Sequence, residues 1–345
     1  MTFTLKAIID LNALLYNVQV IRAKTAAKIY AVVKANAYGH GMSIASYLQH
    51  YVDGFCVASA SEARELVGLA VYKPILILGE VGENNPILPY DNLVYTVGSL
   101  AEVKLFADKK DVGFYIKLNT GMNRLGCDGD AFRNIVNYVR QNSLNCKGVY
   151  THFFQPENEM MTQKQFSLFE EQTCGIELFG SKLHCCASNV LNNDFCRHKD
   201  IVRVGLALYG YGGVEAGLRP IMSVCAPIVK IRNLKKGEYV SYGDFKVKSD
   251  CKIAVLRIGY GDGYRRLDAS RRFVSINGKR CPIVGQICMD MCMADISDVS
   301  AEVGDCAYVL GRGISAEELA EEYGTIVYEV LTSFNERVER VYVKR

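Results

Sequence analysis

Short apolar segments in a regular order limit what this chain of 345 residues can fold into. Stretches with helical periodicity separate several of them, at 61–67, 130–139 and 162–172. Such alternation is typical of βα units whose strands pair in parallel. Eight units in about 220 residues predict a (β/α)8 barrel, whereas an open doubly wound sheet would fit six units better. The eight segments, rich in β-branched and aromatic residues, are 29–33, 54–58, 74–78, 93–97, 113–118, 148–152, 182–186 and 201–208.

The pattern changes near Ser223, after which strands follow one another at turn signals. The Asn277-Gly278 pair between the segments 273–276 and 279–281 predicts a tight hairpin. Only 315–323 reads as helical in this part. We therefore expect a barrel domain over 1–222 and a mostly β domain over 223–345, with the first eight or so residues assignable to either.

Charge and hydrophobicity exclude several classes of protein. The net charge is +3, so the basic surface of a nucleic-acid-binding protein is not indicated. No run of about 18 apolar residues predicts a membrane span, and the first residues lack the order of a secretion signal, so we expect a cytoplasmic protein. The 13 cysteines form no Cys-x-x-Cys pair. They are interpreted as small buried hydrophobes, with no metal site or disulfide expected.

Lys34 is the first candidate for chemistry, because it follows an apolar strand directly. Catalytic groups of barrels lie at the carboxyl ends of the strands. A lysine buried there loses proton affinity and can serve as a nucleophile or a base. The alternative is an ordinary surface lysine, which the neighbouring Asn36, Tyr38 and Gly-His-Gly segment makes less attractive.

Other polar residues follow later strands and are expected at the same rim. Two arginines, a lysine and a histidine without a cluster of carboxylates favour an anionic ligand. Backbone N–H groups of Gly205 and Leu206, with the Ser188 hydroxyl, would suit a phosphate, which barrels often bind after strands seven and eight. Taken singly, His152 and Arg203 could equally be buried structural residues. The candidates are Lys117, Arg124, His152, Ser188 and Arg203.

Seven segments together resemble the alanine racemases, pyridoxal-phosphate enzymes built from a barrel and a β domain. The segments occur in the same order over essentially the whole chain. They are the lysine segment AVVKANAYGHG at 31–41, TGMNRLG at 120–126, THF at 151–153, RVGLALYG at 203–210, VSYG at 240–243, GYGDGY at 259–264 and CMD at 288–290.

The resemblance implies roles for these residues. Lys34 would hold pyridoxal 5'-phosphate covalently, and with Tyr242 it would form a pair of opposed bases. Because Tyr242 comes from the partner subunit in this family, a homodimer with shared active sites is implied. The remaining implied roles are phosphate binding by Tyr38, Ser188, Gly205 and Leu206; contact with the pyridine nitrogen by Arg203; ring stacking by His152; binding of the cofactor oxygen and substrate carboxylate by Arg124; carbamylation of Lys117; the substrate carboxylate site at Met289; and the entrance at Tyr260.

The implied reaction is the interconversion of L- and D-alanine. Inverting a carbon centre needs a proton acceptor on one face and a donor on the other. Lysine and tyrosine both have high ordinary pKa values, so each must be tuned by burial or by cationic neighbours. An arginine at the pyridine nitrogen keeps that nitrogen unprotonated, which we expect to limit side reactions such as transamination.

Several positions depart from the family pattern and leave alternatives open. Glu336 stands where many relatives have a tyrosine near the phosphate, and Gln286 replaces a frequent entrance arginine. Glu157 and Asn119 each replace an aspartate. A serine or broad-specificity amino-acid racemase therefore remains open, since one hydroxyl in an apolar pocket changes discrimination by only ~1–3 kcal/mol. A non-catalytic pyridoxal-phosphate carrier would lack the β domain, and a decarboxylase would place an acidic residue near the ring nitrogen.

Overall fold

A computed structural model describes residues 4–176, 182–192, 198–212, 217–266 and 272–344. Contacts divide the chain into two compact units. The barrel unit comprises 14–37 and 42–219, and the β unit comprises 1–13, 38–41 and 220–345. The first described elements are strand β1 (Lys6–Asp10) and helix α1 (Leu11–Lys24).

Eight parallel strands form the barrel unit, which confirms the predicted fold class. They are β2 (Lys28–Val32), β3 (Gly54–Val57), β4 (Ile75–Glu80), β5 (Leu93–Val97), β6 (Gly113–Lys117), β7 (Cys146–Tyr150), β8 (Lys182–His184) and β9 (Ile201–Val204). Neighbours pair in the order β8-β7-β6-β5-β4-β3-β2-β9. The ring is completed where Asp200 N donates to Leu183 O at 3.0 Å and Arg203 N donates to Cys186 O at 3.0 Å.

Helices lie between several of the barrel strands, whereas β4 and β5 are joined by residues 81–92 without a helix. Every residue of β5, β6 and β9 is buried, as expected for parallel strands covered on both faces. The Ser59 side chain accepts a hydrogen bond from Glu62 N at 3.3 Å and so caps the helix that begins at Ala60. The helices are α2 (Lys34–Tyr38), α3 (Ile44–Leu48), α4 (Ala60–Gly68), α5 (Leu100–Lys104), α6 (Gly129–Asn142) and α7 (Glu159–Thr173).

The β unit consists mainly of antiparallel strands. They are β10 (Met222–Leu234), β11 (Cys251–Leu256), β12 (Phe273–Ile276), β13 (Lys279–Pro282), β14 (Cys292–Asp295), β15 (Cys306–Leu310) and β16 (Glu339–Val343). The β1 strand lies in this unit, antiparallel to β10 and parallel to β16. The predicted hairpin is confirmed, since Ile276 pairs with Lys279 and both Asn277 (φ 48°) and Gly278 (φ 80°) are left-handed.

Two expectations about the β unit were wrong. Besides α8 (Ala316–Tyr323) it contains a second helix, α9 (Val327–Ser333), which packs beside α8. The β-branched start of α9 disfavours a helix, but burial of Val330 and Leu331 overrides that preference. Cys225 in β10 and Cys306 in β15 form a disulfide although 81 residues separate them, because their strands are adjacent in the sheet.

Candidate active site

Lys34 begins α2, two residues after β2 ends. The backbone of Ala35, Asn36, Ala37 and Tyr38 is left-handed, with φ between 52° and 53°. Residues other than glycine rarely adopt this conformation, which costs ~1–2 kcal/mol each. Two hydrogen bonds within the barrel unit hold this run in place. Glu62 accepts from Ala35 N at 2.8 Å, and Asn36 Oδ1 accepts from Met42 N at 2.7 Å. The strained backbone makes this turn a functional candidate.

Charged groups of the barrel unit act on the amine of Lys34. Its side chain is partly buried, and that burial, followed by the positive charge of Arg124, lowers the pKa of Lys34. The carboxylate of Glu62 acts in the opposite direction but is outweighed. Lys34 is therefore closer to its neutral, proton-accepting form than an ordinary lysine is.

Lys117, the last residue of β6, lies deeper in the barrel. Burial, followed by the charges of Arg124 and Arg203, lowers the pKa of Lys117 to about 8. Its ammonium lies 5.7 Å from the centre of the Tyr150 ring. Arg124 itself is exposed, in a loop where Asn119 Oδ1 accepts from Asn123 N at 3.0 Å. The asparagine that departs from the family pattern thus shapes the loop that carries this arginine.

Arg203 in β9 is almost fully buried and contacts the ends of two strands, β7 and β8. Its Nη2 donates to Thr151 O at 2.7 Å and lies 3.5 Å from His152 Nδ1. Its Nη1 donates to Nδ1 of His184. Burial, followed by the charge of Arg203, lowers the pKa of His152 to about 3. His152 is therefore neutral at physiological pH.

His184 is the residue of this network that sequence reasoning missed. It ends β8 and is fully buried, stacked at 4.9 Å on the ring of Tyr150. Its Nε2 has no hydrogen-bond partner within the described ranges. Burial, followed by the charge of Arg203, lowers its pKa well below the ordinary value. Its position at the end of a strand, like that of Lys117, is the signal that could have identified it.

The predicted phosphate-binding residues of the barrel unit lie together. Ser188 begins a 3-10 turn after β8, and Leu206 begins another after β9. The Ser188 hydroxyl accepts from Gly205 N at 3.0 Å and from Ala207 N at 3.3 Å. The Gly205 N–H, expected to face a ligand, thus donates to Ser188 in this structure. Since Ser188 accepts both bonds, its own O–H remains a donor.

Tyr38 lies in the β unit, together with residues 39–41. It is buried, and its ring centre lies 5.6 Å from that of Tyr328. Nδ1 of His40 and the Tyr38 carbonyl are 3.0 Å apart. Glu336, which stands where relatives have a tyrosine, is exposed.

Tyr242, Tyr260 and Met289 are all exposed residues of the β unit, and hydrogen bonds link the loops that carry them. Next to Tyr242, the Ser241 hydroxyl donates to Gln286 O at 2.6 Å. Tyr260 N donates to Cys288 O at 3.1 Å, and Gly261 N donates to Met289 O at 2.8 Å. These three predicted site residues therefore belong to one connected surface.

Two of the remaining departures from the family pattern are engaged within their own units. Oε1 of Glu157 accepts from Asn189 Nδ2 at 3.2 Å, next to Ser188. Oε1 of Gln286 accepts from Arg266. Both side chains are therefore hydrogen-bonded within their own unit.

Comparison with known proteins follows the division into two parts. Residues 9–212 match the family model "Alanine racemase, N-terminal domain", and residues 221–342 match "Alanine racemase, C-terminal domain". An alanine racemase of Mannheimia succiniciproducens is 35% identical over 352 residues, covering 96% of this chain and 97% of the relative.

Solved structures agree. Alanine racemase of Clostridium difficile 630 has a TM-score of 0.90 at 29% identity, with 100% of this chain and 97% of that chain covered. The alanine racemase of Bartonella henselae with covalently bound pyridoxal phosphate has a TM-score of 0.87 at 27% identity, with 99% of each chain covered.

The fold and the basic cluster define a protein with a (β/α)8 barrel, whose strands carry the buried side chains of Lys117 and Arg203, and a mostly β unit. With both family models matched in order, the chain belongs to the alanine racemase family. No helix in the described part of the chain is both long and apolar enough to span a membrane.

Proposed function

We propose that the protein is a pyridoxal-phosphate-dependent racemase that interconverts L- and D-alanine. The observation that carries this proposal is the site in the barrel unit, where Lys34 has a lowered pKa and Arg203 is buried. Membership of the family supports the substrate.

The residues of the barrel unit fit the proposed cofactor. The positive charges of Lys34, Arg124 and Arg203 all act on Lys117 and His152, so an anionic group is the ligand that relieves their mutual repulsion. The Ser188 hydroxyl, which accepts from Gly205 N, supplies an O–H donor for a phosphate, and the N–H of Leu206 lies one residue further along the chain. In this proposal Tyr38 contributes a further phosphate contact, and Arg203 faces the pyridine nitrogen.

Once bound, pyridoxal phosphate would withdraw electrons from the substrate's α-carbon. Lys34 then holds or releases the proton on one side of that carbon, and its lowered pKa suits the task at neutral pH. Tyr242 does the same on the other side. Arg124, carried by an exposed loop, binds the substrate carboxylate, and His152 packs against the cofactor ring as a neutral group.

The proposal includes a homodimer in which Tyr242 of one subunit serves the site of the other. Tyr242 is 69% exposed and Met289 is 53% exposed, which leaves both side chains available for a partner. Met289 would line the carboxylate site and Tyr260 the entrance. A cytoplasmic location is also proposed, because ten of the described cysteines are free thiols, against the single disulfide Cys225–Cys306.

A panel of L-amino acids, incubated with purified protein and pyridoxal phosphate, tests the activity by the D-product formed. D-alanine as the main product supports the proposal, and comparable D-serine would indicate the broad-specificity alternative. A yellow protein that racemises none of them would favour the carrier, against which the match to the C-terminal family model already argues.

The two-base assignment needs a separate test. L- and D-alanine have equal free energies, so kcat/KM for racemisation is the same in both directions whichever bases act. In deuterated water, wild type should exchange the α-hydrogen of both enantiomers of alanine. Tyr242→Phe should keep exchange for one enantiomer and lose it for the other. Undiminished exchange of both enantiomers would remove Tyr242 from the mechanism.

A further inference from the structure

Arg340 in β16 uses its whole guanidinium group on backbone carbonyls. Nε and Nη2 donate to Gly39 O at 3.0 and 2.9 Å. Nη1 donates to Val338 O at 2.7 Å, and further bonds go to Asn335 O and Phe334 O. A guanidinium has five N–H donors, so these five bonds employ its full capacity. None of these four acceptors is a carboxylate, which distinguishes Arg340 from an ordinary ion-pairing arginine.

The segment that Arg340 holds, residues 38–41, is tightly enclosed within the β unit. A Cβ on Gly39 (φ 80°) would lie 2.1 Å from Leu331 O, and one on Gly41 (φ 97°) would lie 2.2 Å from the Tyr342 hydroxyl. That hydroxyl donates to His40 O at 3.2 Å. The approach of Gly39 to a backbone carbonyl, and the positive φ of both residues, favour glycine at these positions and restrict the path of the segment.

This segment continues the left-handed run that begins at Ala35. Strained backbone persists only where its surroundings determine it. The Gly39 carbonyl, directly after the left-handed Tyr38, accepts two of the five Arg340 bonds. These two bonds therefore hold the backbone at the residue that directly follows Tyr38.

We propose that Arg340 is a positioning residue: by holding the Gly39 carbonyl, it places Tyr38 for contact with a phosphate group. The inference rests on the proposed function, since the phosphate is that of the proposed cofactor. Lysine cannot replace Arg340, because an ammonium has three donors and no planar fork to bridge two chain segments. Arg337, three residues earlier, has a different task, since it pairs with Asp262 at 3.1 Å and Asp290 at 2.6 Å.

Affinity for pyridoxal phosphate, compared with pyridoxal, tests this proposal. In Arg340→Gln and Arg340→Lys the dissociation constant for pyridoxal phosphate should rise about tenfold, the effect of weakening one charge-assisted hydrogen bond. Affinity for pyridoxal, which lacks the phosphate, should stay within about twofold. Arg280→Gln is the matched control, because Arg280 binds Glu318 on the surface at 3.3 Å and should change neither constant.

Amide hydrogen exchange supplies a readout independent of the cofactor. Ala37 N donates to Val33 O at 2.8 Å, and Met42 N donates to Asn36 Oδ1 at 2.7 Å. Both amides should exchange faster in the Arg340 variants and not in Arg280→Gln. Should the Arg340 variants fail to fold, Tyr342→Phe, which removes the bond to His40 O, should produce a smaller change in the same direction.

A folded Arg340→Gln protein whose preference for pyridoxal phosphate over pyridoxal equals that of wild type overturns the inference. A wild-type protein that binds pyridoxal phosphate but racemises no amino acid overturns the proposed function instead, and leaves the role of Arg340 intact. The two failures are therefore distinguishable.

Discussion

Arg203 donates to His184 inside the barrel, with both side chains almost fully buried. Because the arginine is the donor, Nδ1 of His184 is the acceptor, and the neutral imidazole carries its proton on Nε2. The Thr151 carbonyl holds the other side of the guanidinium at 2.7 Å. These two contacts fix the orientation of the guanidinium, which the proposed role beside a pyridine nitrogen requires.

Replacing Arg203 should change what the enzyme does as well as how fast it works. In Arg203→Glu a carboxylic acid could share its proton with the pyridine nitrogen, so we expect pyruvate formation from alanine, relative to racemisation, to rise about tenfold (about 1.4 kcal/mol). A pyruvate assay run beside the D-alanine assay measures the ratio. In Arg203→Gln, which retains a hydrogen-bond donor but has no carboxylic acid, the ratio of pyruvate formation to racemisation should stay near that of wild type. An unchanged ratio in a folded Arg203→Glu protein would contradict the proposed role.

Carbamylation of Lys117 should depend on pH, because only the neutral amine reacts with carbon dioxide. With a pKa of about 8, the neutral fraction of Lys117 becomes substantial near pH 8, far below the range of an ordinary lysine. Protein incubated with ¹³C-bicarbonate should show a carbamate NMR signal that increases from pH 7 to 9 and is missing in Lys117→Met. A signal that persists in that variant would locate the carbamate elsewhere.

Lys117 should also affect stability in the alkaline range. Its folded-state pKa, about 8, lies below the ordinary value of 10.5, so the unfolded chain binds the proton more tightly. Stability should therefore increase as pH rises from about 8 to 10.5, and decrease in the opposite direction. Urea unfolding across this range should show a steeper increase for wild type than for Lys117→Met. Parallel curves would show that the lysine is not buried as described.

His152 should destabilise the fold in acid. Its folded-state pKa is about 3 and its ordinary value is 6.5. Between these pH values the ring is therefore protonated in the unfolded chain and neutral in the folded protein. Stability is lost as pH falls from about 6.5 towards 3. His152→Gln should weaken this dependence, as followed by unfolding midpoints against pH. In wild type, NMR should detect no titration of the His152 ring between pH 5 and 8.

Two serines at helix starts form a matched pair for stability. The Ser99 hydroxyl caps α5 by accepting from Glu102 N at 3.3 Å, and the Glu102 carboxylate accepts from Ser99 N at 3.1 Å. Ser43 occupies the same position before α3 but makes no such bond. We expect Ser99→Ala to cost about 1 kcal/mol of unfolding free energy and Ser43→Ala only a few tenths. Equal losses in denaturant unfolding would contradict this account of the cap.

Local patterns in the sequence were enough to predict the eight barrel strands and the hairpin at Asn277-Gly278. Those features arise from neighbouring residues: a buried parallel strand needs a continuous apolar run, and a two-residue hairpin needs left-handed residues. The candidate residues Lys34, Lys117 and His152 could also be predicted from the sequence, since each lies at or near a strand end. In contrast, α9 escaped prediction because its burial against the rest of the unit, rather than its own preference, makes it helical.

Tertiary structure alone established the contacts between residues distant in the sequence. Nothing in the order of residues shows that Arg340 meets Gly39, 301 positions away, or that Cys225 meets Cys306. Nor does it show that the backbone after Lys34 is left-handed, since alanine and tyrosine disfavour that state. Pairing partners, pKa shifts and strained backbone depend on which groups surround a residue in space, and folding rather than sequence proximity brings those groups together.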